Sequence, residues 1–184
     1  MDESGKEASA QLERNDIPPP PFVSGTVTKG SDTLAFFAAD DWKVTVDVAA
    51  LAVDLPQTGV TPSTQLSTLT AESVGRLVQA CYHEARHAEQ AFLAARMEAE
   101  QAKGSLTASV LSRRVGIKEE IAEVALSAAL VTMPDVLKAK AEAWRTFMVG
   151  GRHIPYRTWN KEVQDQISVL LAVGLSTMQE YEEK

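Results

Sequence analysis

Between Ala71 and about Lys103 the chain carries no proline and no glycine after Gly75, while Val74, Val78, Cys81, Ala85, Ala88 and Phe92 recur at steps of three and four. A run with that period and no breaker is a long helix with one buried stripe. It dominates any fold open to this chain. Further helices are predicted at Ile117–Val131, at Pro134–Met148, where proline opens the helix and Gly150-Gly151 follow it, and at Lys161–Gln179 after an Asn160 cap. No internal repeat of solenoid period interrupts this pattern.

Upstream of the long helix the composition is different. From Phe22 to Leu55, β-branched and aromatic residues gather in Thr26-Val27-Thr28, Leu34-Ala35-Phe36-Phe37 and Trp42 to Val48, separated by Lys29-Gly30-Ser31-Asp32 and Asp40-Asp41. These read as two or three short antiparallel strands. Pro56 to Thr70 is a loop, with Thr70 placed to cap the long helix and Glu72 in its first turn. Residues 1–22 are polar and then proline-rich (Pro18 to Pro21), a composition that favours a flexible, extended arm. The expected fold class is α+β: a mainly helical domain with a small N-terminal antiparallel β-sheet packed by the long helix. With 184 residues and 45% hydrophobic side chains, residues 23–184 suffice for one domain with a real core.

A formal charge of −7 leaves no large basic surface, which argues against nucleic acid and against an anionic membrane as partners. The one cysteine, Cys81, has no partner for an intramolecular disulfide or a thiolate metal site, so a metal would have to be held by histidine and carboxylate. The first residues are acidic and polar, and nothing later approaches a membrane-spanning run. Synthesis in the cytoplasm is expected, with export by a machine that needs no cleaved signal left open.

The chemistry is concentrated in His83-Glu84-Ala85-Arg86-His87. Two of the protein's three histidines stand four residues apart on the long helix, so their imidazoles project from one face, a turn apart, and can close on one tetrahedral zinc ion. Glu84 is turned about 100° from His83, beside the metal, where a carboxylate can take a proton from water and pass it to a leaving amine. The stripe from Val74 to Phe92 lies on the opposite side. The histidine side carries Arg76, Ala80, Gln90, Ala91 and Ala94, small or polar residues that would leave space for a substrate. The bland alternative is a solvated helix turn in which Glu84, Arg86 and Glu89 form ordinary surface pairs.

This string resembles the zincin metallopeptidases, whose active-site helix carries His-Glu-x-x-His. Tyr82 to Phe92 is also similar to bacterial zincin-like domains found in secreted toxins and contractile-injection cargo. The resemblance implies a single zincin-like metallopeptidase domain over residues 23–184, with Zn2+ on His83 and His87, Glu84 as general base, and a protein or peptide as substrate. It further implies a secretion-system carrier or an immunity protein as partner. In zincins an edge strand beside the active-site helix holds the substrate extended, a role for the Trp42–Val48 strand. The metzincin extension is absent, since Ala88 to Leu93 supplies neither glycine nor histidine. In the gluzincin arrangement the third ligand is a later glutamate.

Three places can supply that ligand. Tyr156-Arg157 followed by Glu162 and Asp165 is similar to a stretch of the same bacterial group, in which the glutamate binds metal and the aspartate supports a ligand histidine. The interval from His87 to Glu162 is longer than the gluzincin one. Glu120, with Glu123 behind it, borders the apolar face of Ile117, Ile121 and Val124, although a carboxylate run is usually a solvated face. His153, in the loop after Gly150-Gly151, is the third. His153, Tyr156 and Arg157 are also the donors available to a transition-state oxyanion, with Tyr156 the first choice. Two other classes remain open: a non-catalytic helical binding module or secretion adaptor in which the motif is incidental, and a zincin fold whose metal is structural.

Overall fold

Secondary structure in the computed structural model begins with β1 (Phe22–Ser24), β2 (Ala35–Ala38) and β3 (Lys43–Val46), followed by α1 (Ala71–Gln101), α2 (Ala108–Val115), α3 (Glu119–Ala128) and α4 (Asp135–Met148). The residues described are 6, 9–10, 12–13, 15–27, 34–47, 50 and 71–149, and all of them fall in one unit, Met1–Val149. The fold is α+β and mainly helical, as expected. The predicted helix at 161–179 lies outside the described residues.

The sheet is mixed where an antiparallel one was expected. Its order is β1-β3-β2, with β2 antiparallel to β3 and β1 parallel to it. β2 and β3 form a hairpin, and β1 adds on the far side of β3, so β3 is the central strand. The first strand uses Phe22–Ser24 and leaves out Thr26 and Val27, because Val27 N–H is taken by the Asp47 carboxylate (2.9 Å). Gly25 belongs at the end of β1 for a steric reason: a Cβ there would come 2.9 Å from Thr45 Cγ2. The hairpin turn holds Trp42 at φ 52°, a costly conformation for a bulky residue. Its buried ring compensates by stacking edge-on against Phe37 at 5.2 Å and donating Nε1–H to Pro18 O at 3.0 Å.

That last bond belongs to a stretch of the expected arm that, among the described residues, is packed on the sheet. Leu12, Ile17 and Pro20 are buried, and Val44 N–H is bonded to Pro21 O at 2.9 Å. Prolines have no N–H to satisfy but keep their carbonyls, so this segment can run beside β3 as an acceptor.

α1 is the axis of the fold. Its predicted stripe is buried at Cys81, Ala85, Ala88 and Phe92, but from Ala91 to Ala99 every residue is buried. A helix covered all round must satisfy its charged residues internally. Glu98 accepts from Arg114 Nη1 (2.6 Å) and Arg145 Nη1 (3.2 Å), tying α1 to α2 and α4, and Arg96 Nη2 bonds Val131 O (3.1 Å). Lys103 and Gly104, at φ 49° and 79°, end the helix.

α2 was not predicted. Thr107 caps its start, accepting from Val110 N–H, and Gly116 closes it in the left-handed conformation. α3 is shorter than the Ile117–Val131 expected because Lys118 is extended, its N–H bonded to Ala39 O (3.0 Å) at the end of β2. Among the described residues no helix is long and apolar enough to cross a membrane.

Candidate metal centre

The site sits on the N-terminal half of α1, before the helix becomes fully enclosed. His83 is exposed and His87 half-buried. Their rings meet edge-on, with centroids 4.6 Å apart, and the two Nε2 atoms face each other at 3.0 Å. Two ligands on one tetrahedral zinc stand about 3.3 Å apart, so a slight opening of this pair admits the ion. Although much of the residue is open to solvent, partial desolvation of its ring holds the His83 pKa below its ordinary value, and His87 beside it adds to the effect. Both causes favour the neutral imidazole that a metal requires.

Glu84 projects to a different place, as its turn around the helix requires. Its carboxyl is buried against the outer edge of β2, where Oε2 accepts Phe37 N–H at 2.7 Å. The register explains why that N–H is free to do so. Asp47 N–H bonds Leu34 O across the β2–β3 pair, and in an antiparallel ladder the alternation then turns Phe36 toward β3 and Phe37 away from it. Burial raises the Glu84 pKa above its ordinary value, against the opposing pull of the Phe37 N–H and His87. Ligand atoms of His83, Glu84 and His87 all lie within 4.8 Å of one another, and they form the one such group among the described residues.

The opposite face of the imidazole pair is also held. His87 Nδ1 lies 3.0 Å from Gln90 Oε1, one turn on. Arg86 points outward and pairs with Glu89 at 3.4 Å, so the bland reading holds for that pair but not for Glu84.

The space above the histidines is narrower than the sequence pattern implied. Ala91 and Ala94 are buried in the core, leaving Arg76, the half-buried Ala80 and Gln90 to line the open side. β3, the strand described within the Trp42–Val48 segment, cannot be the substrate-binding edge, because it is paired on both sides. Glu120 and Glu123 are exposed on α3 and stand outside the histidine group; Glu120 pairs with Lys118 at 3.7 Å. His153, Tyr156, Glu162 and Asp165 lie outside the described residues. Two features of the site went unread in the sequence. The Phe37 N–H is a backbone group with no sequence signal, whereas Gln90 was visible three residues after His87.

The chain matches no family model, no curated protein and no solved structure.

Proposed function

We propose that the protein is a zinc-dependent peptidase with His83 and His87 as metal ligands and Glu84 as general base. The observation that carries this reading is the approach of the two Nε2 atoms at 3.0 Å, on a half-open helix face in a protein with only three histidines. The donor set suits the ion: two imidazoles offered from one rigid element, with His83 biased toward its neutral form by its surroundings.

Zinc bound there would supply the Lewis acidity that activates water and polarises a carbonyl. The chain's own residues would do the rest. Phe37 N–H fixes one oxygen of the Glu84 carboxyl, so the side chain is oriented before any substrate arrives. Burial makes Glu84 a stronger base than an exposed glutamate, the direction needed to take a proton from water and return it to a leaving amine. Glu162 remains the proposed third ligand with Asp165 behind it, Glu120, Glu123 and His153 being the alternatives. Tyr156 is proposed to donate to the oxyanion. A secreted bacterial effector acting on a protein or peptide is the proposed setting.

A binding or adaptor role has one observation in its favour: Leu130, Val131 and Val136 are apolar and largely exposed around the α3–α4 connection. The two readings separate on hydrolysis. Incubation of the zinc-loaded protein with a mixed-sequence peptide library, read by mass spectrometry, should give cleavage that a chelator abolishes and zinc restores. Glu84→Gln should keep its zinc and lose cleavage by about 100-fold or more. Cleavage that survives both treatments would exclude the proposed site, and no cleavage with zinc bound would favour the adaptor.

A further inference from the structure

We infer that Gln90 is the positioning residue of the site: its side-chain carbonyl sets the tautomer of His87 so that Nε2 presents a lone pair. The inference rests on the metal reading and adds to it a residue that acts through His87. An acceptor at Nδ1 requires the ring proton to be there, and Gln90 Oε1 is 3.0 Å from that atom. Nε2 of His87 then has no proton and accepts from Nε2–H of His83 across the 3.0 Å gap. The metal-free pair is therefore held with its ligand atoms converged, and only the His83 ring has to move its proton for both lone pairs to face one ion. With the amide reversed, the same contacts would place a proton on His87 Nε2 and block it. The orientation of one amide decides which of the two arrangements holds.

Gln90 is suited to this by its position. It lies three residues after His87, on the same face of α1, and it is half-buried, which limits competition from water. The neighbouring carboxylates are engaged elsewhere: Glu84, within 4.8 Å of the histidine ligand atoms, accepts Phe37 N–H, and Glu89 is buried and pairs with Arg86 at 3.4 Å. Beyond Gln90 the helix is enclosed from Ala91 onward, so its backbone is fixed.

The test uses the full chain, Gln90→Leu and Gln90→Glu. Leucine removes the acceptor and keeps helix propensity; glutamate supplies another acceptor. In metal-free protein, 15N shifts of the His87 ring should report a protonated Nδ1 and a bare Nε2 in wild type and Gln90→Glu, and a shift toward protonated Nε2 in Gln90→Leu. Zinc affinity, measured by competition with a chromophoric chelator, should fall about 10–100-fold in Gln90→Leu and be restored in Gln90→Glu. Unchanged ring shifts together with wild-type zinc affinity in Gln90→Leu would overturn the role of Gln90 alone. A wild-type protein that takes up no zinc would overturn the metal reading, and the ring shifts would still decide whether Gln90 sets the tautomer.

Discussion

Replacing Glu98 by glutamine should destabilise the protein by about 3 kcal/mol, and the structure says where that cost arises. The Glu98 carboxylate is buried, with its side chain 8% exposed, and receives one guanidinium on each oxygen. Arg114 is half exposed and returns to water when its partner is neutralised, so its share is under about 1 kcal/mol. Arg145 cannot escape so easily: it is 22% exposed, its Nε is buried without a partner, and its other ion pair, to Glu142, is longer at 3.7 Å. Leaving that charge poorly compensated accounts for most of the loss. For a two-state chain of this size the melting temperature should drop by about 6–12 °C, measured by circular dichroism with zinc absent. Arg114→Ala should cost far less than Glu98→Gln, and removing both charges in Glu98→Gln, Arg145→Met should recover part of the loss. The histidine pair lies about 16–22 Å up the helix axis, so zinc uptake should not change. A melting temperature within about 2 °C of wild type in Glu98→Gln would refute the claim that this pair holds α1 to its neighbours.

Three further outcomes follow from the same packing. Because burial raises the Glu84 pKa, the folded state keeps this proton after the unfolded chain has lost it, and the Glu84 contribution to metal-free stability should decline as pH rises above about 4.5. Glu84→Gln should therefore gain on wild type between pH 4.5 and neutrality in metal-free melting curves; a constant difference would contradict the burial argument. Phe92, fully buried where α1 meets the core, should cost about 3–5 kcal/mol as Phe92→Ala in urea unfolding, and a loss below 1 kcal/mol would mean that the enclosed half of α1 is mispacked. Gly25→Ala should cost about 1–3 kcal/mol through its collision with Thr45, and a neutral result in the same assay would place β1 elsewhere.

The parts of this fold that were legible beforehand are those written in short-range periodicity. The α1 stripe, the i,i+4 histidines and the proline-opened α4 each follow from the geometry of one helix. What was lost depends on partners far along the chain. Parallel pairing of β1 with β3 has no local signature, and it displaced the first strand from Thr26 to Phe22. The composition around Ile17 and Pro20 favours an arm because it does not show that Trp42 and Val44 will bond to the carbonyls of Pro18 and Pro21 beside them. α2 spans only eight residues, too short for a periodic stripe to stand out, so its caps, Thr107 and Gly116, are its main signal. At the site, the direction of Glu84 followed from helix geometry alone, but the β2 edge that receives it did not. Ala91 and Ala94 show the converse error: small residues opposite a stripe can mean close packing as well as open space.

Metal content, measured by mass spectrometry on freshly purified protein, decides whether His83 and His87 hold zinc. Near-stoichiometric zinc is expected in wild type and in Glu84→Gln, and its loss in His83→Ala, His87→Ala. Wild-type protein without zinc even after the ion is supplied, or a double variant that retains it, would rule out a metal centre on this histidine pair.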